Sequence, residues 1–180
     1  IQMCVTMRDR LIDVRDKVLI LIGFASGSRR SELVSLDVGD IKITDKGLRI
    51  TIKKSKTDQE GKGRQIGIVH GKNTSTDPVR AYKEWLEHSG IKEGAVFRSV
   101  RKDGTVKQKR LKGYSVSRIV KKHAKRIGMD PDQVSSHSFR SGFCTMSAIQ
   151  KCSIFSIMEQ TGHRNESTVR EYYKPATIFQ

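Results

Sequence analysis

The chain has 180 residues, 30% charged and 36% hydrophobic, with 35 Lys and Arg against 19 Asp and Glu and a formal net charge of +16. A chain this long buries roughly two-thirds of its surface, enough to fold as one domain without disulfide staples. Its three cysteines cannot all pair internally, its longest apolar run (residues 18–26) is about half of what crosses a bilayer, and no basic start leads into an apolar stretch as in a signal peptide. The expectation is a cytoplasmic protein with a polyanion as partner, neither membrane-bound nor a secreted disulfide scaffold.

In chain order, residues 7–24 carry apolar side chains at Leu11, Val14, Val18, Leu21 and Ile22, the spacing of a helix. Gly27-Ser28 interrupts the pattern, and residues 30–36 read as a short second helix. Ile41 and Ile43, then Leu48, Ile50 and Ile52, alternate around an Asp45-Lys46-Gly47 turn. Ile66 and Ile68 alternate again beyond a polar turn at 59–63, which sets Lys56 near the tip of a hairpin. Asp77 reads as the N-cap and Pro78 as the first residue of a helix reaching His88. Val96-Phe97 reads only as a short apolar piece. Helices follow over 115–127, ended by Gly128; over 136–149; over 153–160, stopped by Gly162; and over 167–173, before Pro175. The sum is an α+β protein, mainly helical, with a small antiparallel β-sheet at one edge. Cys144 and Cys152 fall in apolar helical stretches and read as reduced core thiols.

The positive charge is uneven. Twelve basic residues lie between Arg98 and Arg126 with Asp103 the one acid among them, and a second cluster holds Lys53, Lys54, Lys56, Lys62 and Arg64. Two such runs in one small chain point to nucleic acid rather than to a merely solvated face. Aromatic residues are 6% and do not interleave with the basic ones, so duplex phosphates fit better than stacked single-stranded bases. There is no His-Glu-x-x-His, no Cys-x-x-Cys and no Gly-rich phosphate loop, and no pair of acids looks placed to hold two Mg²⁺ ions. Metal-dependent nucleases and ATP hydrolysis are disfavoured on that ground.

Gly27-Ser28-Arg29-Arg30-Ser31-Glu32-Leu33 sets arginines at a helix start, where free backbone N–H groups favour an anion. His137-Ser138-Phe139-Arg140 puts a histidine and an arginine on one helix face. His123-Ala124-Lys125-Arg126 has the same spacing, but it lies inside the basic helix with nothing matching after it, and reads as a decoy. Gly162-His163 precedes a polar turn, and Tyr172-Tyr173 follow. With Lys54-Ser55-Lys56-Thr57-Asp58, these segments resemble, in order and spacing, the catalytic domain of the tyrosine recombinases, the phage integrase family. The resemblance covers nearly the whole chain, from Arg10 to Tyr173.

The resemblance implies site-specific recombination of double-stranded DNA through a 3′-phosphotyrosyl intermediate, with no metal, ATP or other cofactor. It makes Arg29 and Arg140 the pair of guanidiniums that hold the phosphate, and Lys56 the acid that protonates the leaving 5′-oxygen. His137 and His163 become the histidines that position the phosphate and manage the nucleophile's proton, and Tyr172 the nucleophile. Arg30, Lys53 or Lys54, and Tyr173 are the adjacent alternatives. Glu32 reads equally as a partner orienting Arg29 and as a helix N-terminal acid. Residues 1–180 would then be the C-terminal catalytic domain, without the family's N-terminal core-binding domain. The full-length protein would oligomerise on DNA, and this piece alone would be a monomer. Two other readings share the basic faces or the chemistry: a DNA-binding module without catalysis, and a type IB topoisomerase or telomere resolvase.

Overall fold

The computed structural model describes residues 2–53 and 63–177. Two helices, α1 (Gln2–Val5) and α2 (Leu11–Ser26), lead into a short helix, α3 (Arg30–Ser35). Strands β1 (Ile41–Thr44), β2 (Gly47–Ile52) and β3 (Arg64–Val69) form an antiparallel sheet in that order, and helix α4 (Pro78–Ser89) follows. A two-stranded hairpin, β4 (Arg98–Val100) and β5 (Val106–Arg110), precedes α5 (Gly113–Arg126), α6 (Ser138–Ile149), α7 (Ile154–Thr161) and α8 (Glu166–Thr177).

Helix α2 runs through the middle of the molecule. Val18, Leu19 and Ile22 are fully buried in it, and its polar residues Asp13, Arg15 and Asp16 are buried as well. It therefore lacks the one-sided stripe of a surface helix. It starts at Leu11 rather than at residue 7, with Arg10 in extended conformation as its N-cap. In the sheet, Ile41 faces Ile50, Leu48 faces Ile68 and Ile50 faces Ile66, so these residues share one buried face, while Ile43 on β1, expected to join them, is exposed. Asp77 accepts from the Val79 N–H at 2.9 Å and Pro78 opens α4, the cap expected of that dipeptide. Trp85 is wholly buried on α4 and donates its indole N–H to the Val96 carbonyl at 2.9 Å.

Further local expectations are corrected. The segment after Val96-Phe97 is a hairpin: Val100 pairs with Val106 across a turn in which Gly104 has φ 88°. Its other positions are mostly Arg, Lys and Gln, which hide a strand from a hydrophobic count. Helix α6 begins at Ser138, because His137 is its N-cap. Helix α8 continues through Pro175 to Thr177, past the proline expected to end it. Cys144 is buried as expected, in a second small core with Ile157 and Val169, but Cys152 lies beyond the end of α6 and is exposed. Among the described residues, no helix is long and apolar enough to cross a membrane.

Candidate active site

Helices α2 and α6 cross closely because Gly23 offers no side chain. A Cβ there would stand 2.7 Å from the Phe139 ring. This approach brings the Gly27 carbonyl, just past the end of α2, to Arg140 on α6: Nη1 donates to it at 3.0 Å and also to the Thr161 carbonyl at the end of α7. Arg140 is 4% exposed, and its Nη2 is a buried donor with no partner among the described residues. Burial, and then the charge of Arg29, push its pKa down to about 10, so it stays cationic at neutral pH.

His163 follows the turn at Gly162, which caps α7 with φ 68°. Arg140 Nε donates to His163 Nε2 at 3.2 Å, so that nitrogen carries the lone pair. Thr161 Oγ1 donates to the Ile157 carbonyl at 2.6 Å, which leaves it to accept from His163 Nδ1–H at 2.7 Å. The network thus assigns the Nδ1–H tautomer. Burial, followed by the charges of Arg140, Arg29, His137 and Arg64, pushes the His163 pKa down to about 4. The imidazole is neutral at physiological pH.

Arg29 is the half-buried N-cap of α3, while its neighbour Arg30 is exposed and lies against Gly113. Glu32, only 1% exposed, accepts from Arg29 twice at 3.0 Å, from the guanidinium Nη1 and from the backbone N–H. It therefore does both things read from the sequence: it partners Arg29 and it closes the first turn of α3. It also accepts from Arg64 on β3, at 3.3 Å from Nη1 and 2.9 Å from Nη2. In the sequence, Arg64 stands only as one member of a basic cluster. The one signal that set it apart was an arginine among four lysines, since a guanidinium can span both oxygens of a carboxylate and an ammonium cannot.

The ring of Tyr172 lies 6.4 Å, centroid to centroid, from that of His163. Burial holds the Tyr172 phenol above its usual pKa, so the hydroxyl is protonated at rest. Tyr173 points elsewhere, donating its hydroxyl to the Cys152 carbonyl. His137 is exposed at the N-terminus of α6. Lys53 pairs with Asp40 at 2.7 Å. Lys56, like Lys54, lies outside the described residues. The structure thus gathers Arg29, Arg140, His163 and Tyr172, with His137 at the rim.

The acids that looked scattered converge elsewhere. Asp13 and Asp16 of α2 meet His123 of α5 in a group with metal-ligand spacing. Every carboxylate oxygen in it is already used. Asp16 accepts from Arg15 at 3.0 Å, Lys122 at 2.6 Å and His123 Nε2 at 2.9 Å. Asp13 accepts from Arg10 at 2.9 Å and Arg126 at 3.2 Å. Cations fill this cluster, and it reads as an internal ion-pair network rather than a metal centre. The basic run is likewise only partly free for phosphates. Arg98 is buried and donates to the carbonyls of Ala95 and Glu93, and Arg110 donates to the Val34 carbonyl and pairs with Asp37.

The sequence and the fold also match known proteins. Residues 2–177 match the family described as the phage integrase family. An integrase/recombinase xerD homolog of Selenomonas ruminantium is 37% identical over 172 residues, covering 96% of this chain and 50% of that protein. The tyrosine recombinase XerD of Corynebacterium glutamicum is 28% identical over 163 residues, covering 89% of this chain and 48% of its own length. The chain spans about half the length of these relatives. In fold it is similar to the XerH site-specific recombinase solved bound to its difH substrate before cleavage, with a TM-score of 0.72, 20% identity, and coverage of 95% of this chain and 46% of that one. The family match spans residues 2–177, and a helical molecule with a small antiparallel sheet fits these relatives in fold, so the chain belongs to the phage integrase family.

Proposed function

We propose that this chain is the catalytic part of a site-specific DNA recombinase, which cuts one strand of duplex DNA with Tyr172 and reseals it without metal or ATP. One observation carries the reading: Arg29, Arg140 and His163 converge beside the Tyr172 ring, with a buried Arg140 Nη2 that has no partner among the described residues. A cationic pocket with a spare buried donor suits an anion, and membership of the family makes that anion a DNA phosphate.

In the proposed reaction the Tyr172 oxygen attacks phosphorus, the bond to the 5′-oxygen breaks, and a 3′-phosphotyrosyl link conserves the bond energy for rejoining. Arg29 and Arg140 hold the non-bridging oxygens and stabilise the added transition-state charge. The phenol is protonated at rest, so its proton must leave as the new bond forms. His137 and His163 are the groups assigned to that proton; the His163 Nε2 lone pair accepts from Arg140 Nε in the resting site, so that bond must open before His163 can serve. Lys56 protonates the leaving oxygen. Exchange between two duplexes needs several active sites, so copies assemble on DNA, beside the genome in the cytoplasm.

The test is a duplex nicked near the cleavage point, which lets the cut fragment diffuse away and traps the adduct. A covalent adduct mapped to Tyr172, formed in EDTA, is the expected result. No adduct, or one mapped to Tyr173, overturns the assignment.

A further inference from the structure

We propose that Arg64 is a positioning residue of this site, which acts through Glu32 to fix the Arg29 guanidinium and braces the turn that carries His163. The proposal rests on the recombinase reading above. Arg64 opens β3, and Glu32 lies 32 residues earlier on α3. A single buried carboxylate is thus shared by two guanidiniums from different elements. Oε1 takes Arg29 Nη1 and Arg64 Nη1, and Oε2 takes the Arg29 backbone N–H and Arg64 Nη2. With both oxygens engaged from both sides, the Glu32 carboxylate cannot rotate, and Arg29 inherits that fixed direction. A lysine at 64 would reach only one oxygen.

The same guanidinium lies against Gly162. A Cβ there would stand 2.9 Å from Arg64 Cζ and Nη1, so the Gly162–His163 turn rests on the arginine plane. Arg64 Nε is buried with no partner among the described residues. Leaving a buried donor unmade is unfavourable for stability alone, and residues kept at such a cost are concentrated at functional sites. The charge of Arg64 also contributes to keeping His163 neutral.

The experiment is single-turnover cleavage of the nicked duplex at saturating DNA, with DNA affinity and thermal midpoint measured on the same samples. Arg64→Ala should slow cleavage roughly 10- to 100-fold, the scale expected when a catalytic group is misplaced, with affinity within about threefold. Arg64→Lys, which keeps the charge and the fold, should still lose most of the rate. In a Glu32→Gln background, Arg64→Ala should cost clearly less than it does in the parent, because the route through Glu32 is already lost and only the contact with the His163 turn remains. Losses that multiply in the double variant, or a folded Arg64→Lys protein that cleaves at the parent rate, overturn the proposal. A parent protein that forms no adduct overturns the recombinase reading, and this inference with it; an adduct with multiplying losses overturns only the role of Arg64.

Discussion

The chain contains two His-x-x-Arg segments, and the fold treats them in opposite ways. On α5, His123 and Arg126 meet Asp13 and Asp16 of α2, and the His123 ring is completely buried against the Asp16 carboxylate. On α6, Arg140 meets backbone carbonyls and a neutral histidine, and has a buried donor without a partner among the described residues. Spacing is the same in both. What differs is whether the opposing face of α2 supplies carboxylates. Where it does, the charges cancel and the cluster fastens two helices. Where it supplies only the Gly27 carbonyl, positive charge is left over for an external anion.

The largest effect should come from the site without spare carboxylates. Tyr172→Phe should abolish the covalent adduct while DNA affinity stays within about twofold, since no charge is lost. Arg140→Ala should lower the cleavage rate by about 10² to 10³, the range for loss of one oxyanion donor. Gel detection of adduct and single-turnover rates read both. Cleavage by Arg140→Ala within threefold of the parent would remove the distinction between the two motifs.

The mirror experiment breaks the other cluster. Asp16→Asn leaves Arg15, Lys122 and His123 facing an uncharged amide in the interior, and breaking a buried pair from one side costs about 3–5 kcal/mol. Denaturant unfolding should show this loss, while the rate per folded molecule stays near the parent value. Arg126→Ala should also lower stability, because Arg126 pairs with buried Asp13. Burial raises the Asp16 pKa, but the His123 hydrogen bond, Arg15 and Lys122 outweigh it and bring the carboxyl to about 2. A depressed carboxylate stabilises above its unfolded pKa. That contribution, roughly 2 kcal/mol, should disappear as pH falls from about 4 to 2.

His163 sharpens the contrast by titration. Its folded pKa of about 4 is below the ordinary histidine value of 6.5, so between those values the unfolded chain binds the proton and the native one does not. Stability should fall as pH drops from 6.5 to 4, and a His163→Gln protein should lose that slope. An imidazole resonance assigned to His163 that titrates near 6.5 would overturn the neutral tautomer.

The helices were legible because apolar spacing and caps agree with packing: Asp77-Pro78 and Gly162 mark ends that the structure keeps. The β4–β5 hairpin was not, because Val100 and Val106 are its one apolar pair among basic residues. The resemblance of short motifs named Arg29, His163 and Tyr172, which lie around Arg140, and also Lys56, which falls outside the described residues. It could not show that Glu32 serves two arginines, since Arg64 reaches it through a strand pairing 32 residues away. Nor could it separate the lysines and arginines of the basic run by task, because a buried Arg98 and an exposed Lys107 are the same kind of residue in a charge count.

That separation gives the smallest and most selective effect. Arg101, Lys102, Lys107 and Lys109 are exposed on and around the β4–β5 hairpin, whereas Arg98 and Arg110 are committed to carbonyls and Asp37. If the hairpin meets duplex phosphates, each exposed residue changed to Ala should reduce the slope of log K against log salt by about 0.9, uniformly across DNA sequences. Arg110→Ala should leave the slope unchanged and lower the thermal midpoint instead, since its loss strands the Val34 and Leu36 carbonyls and Asp37. Salt titrations of the single variants on target and scrambled DNA, beside thermal unfolding, read both quantities. Equal slope changes from Lys107→Ala and Arg110→Ala would mean that the internal bonds of Arg110 give way on DNA, and that the division between fastening charges and free charges holds only in the unbound protein.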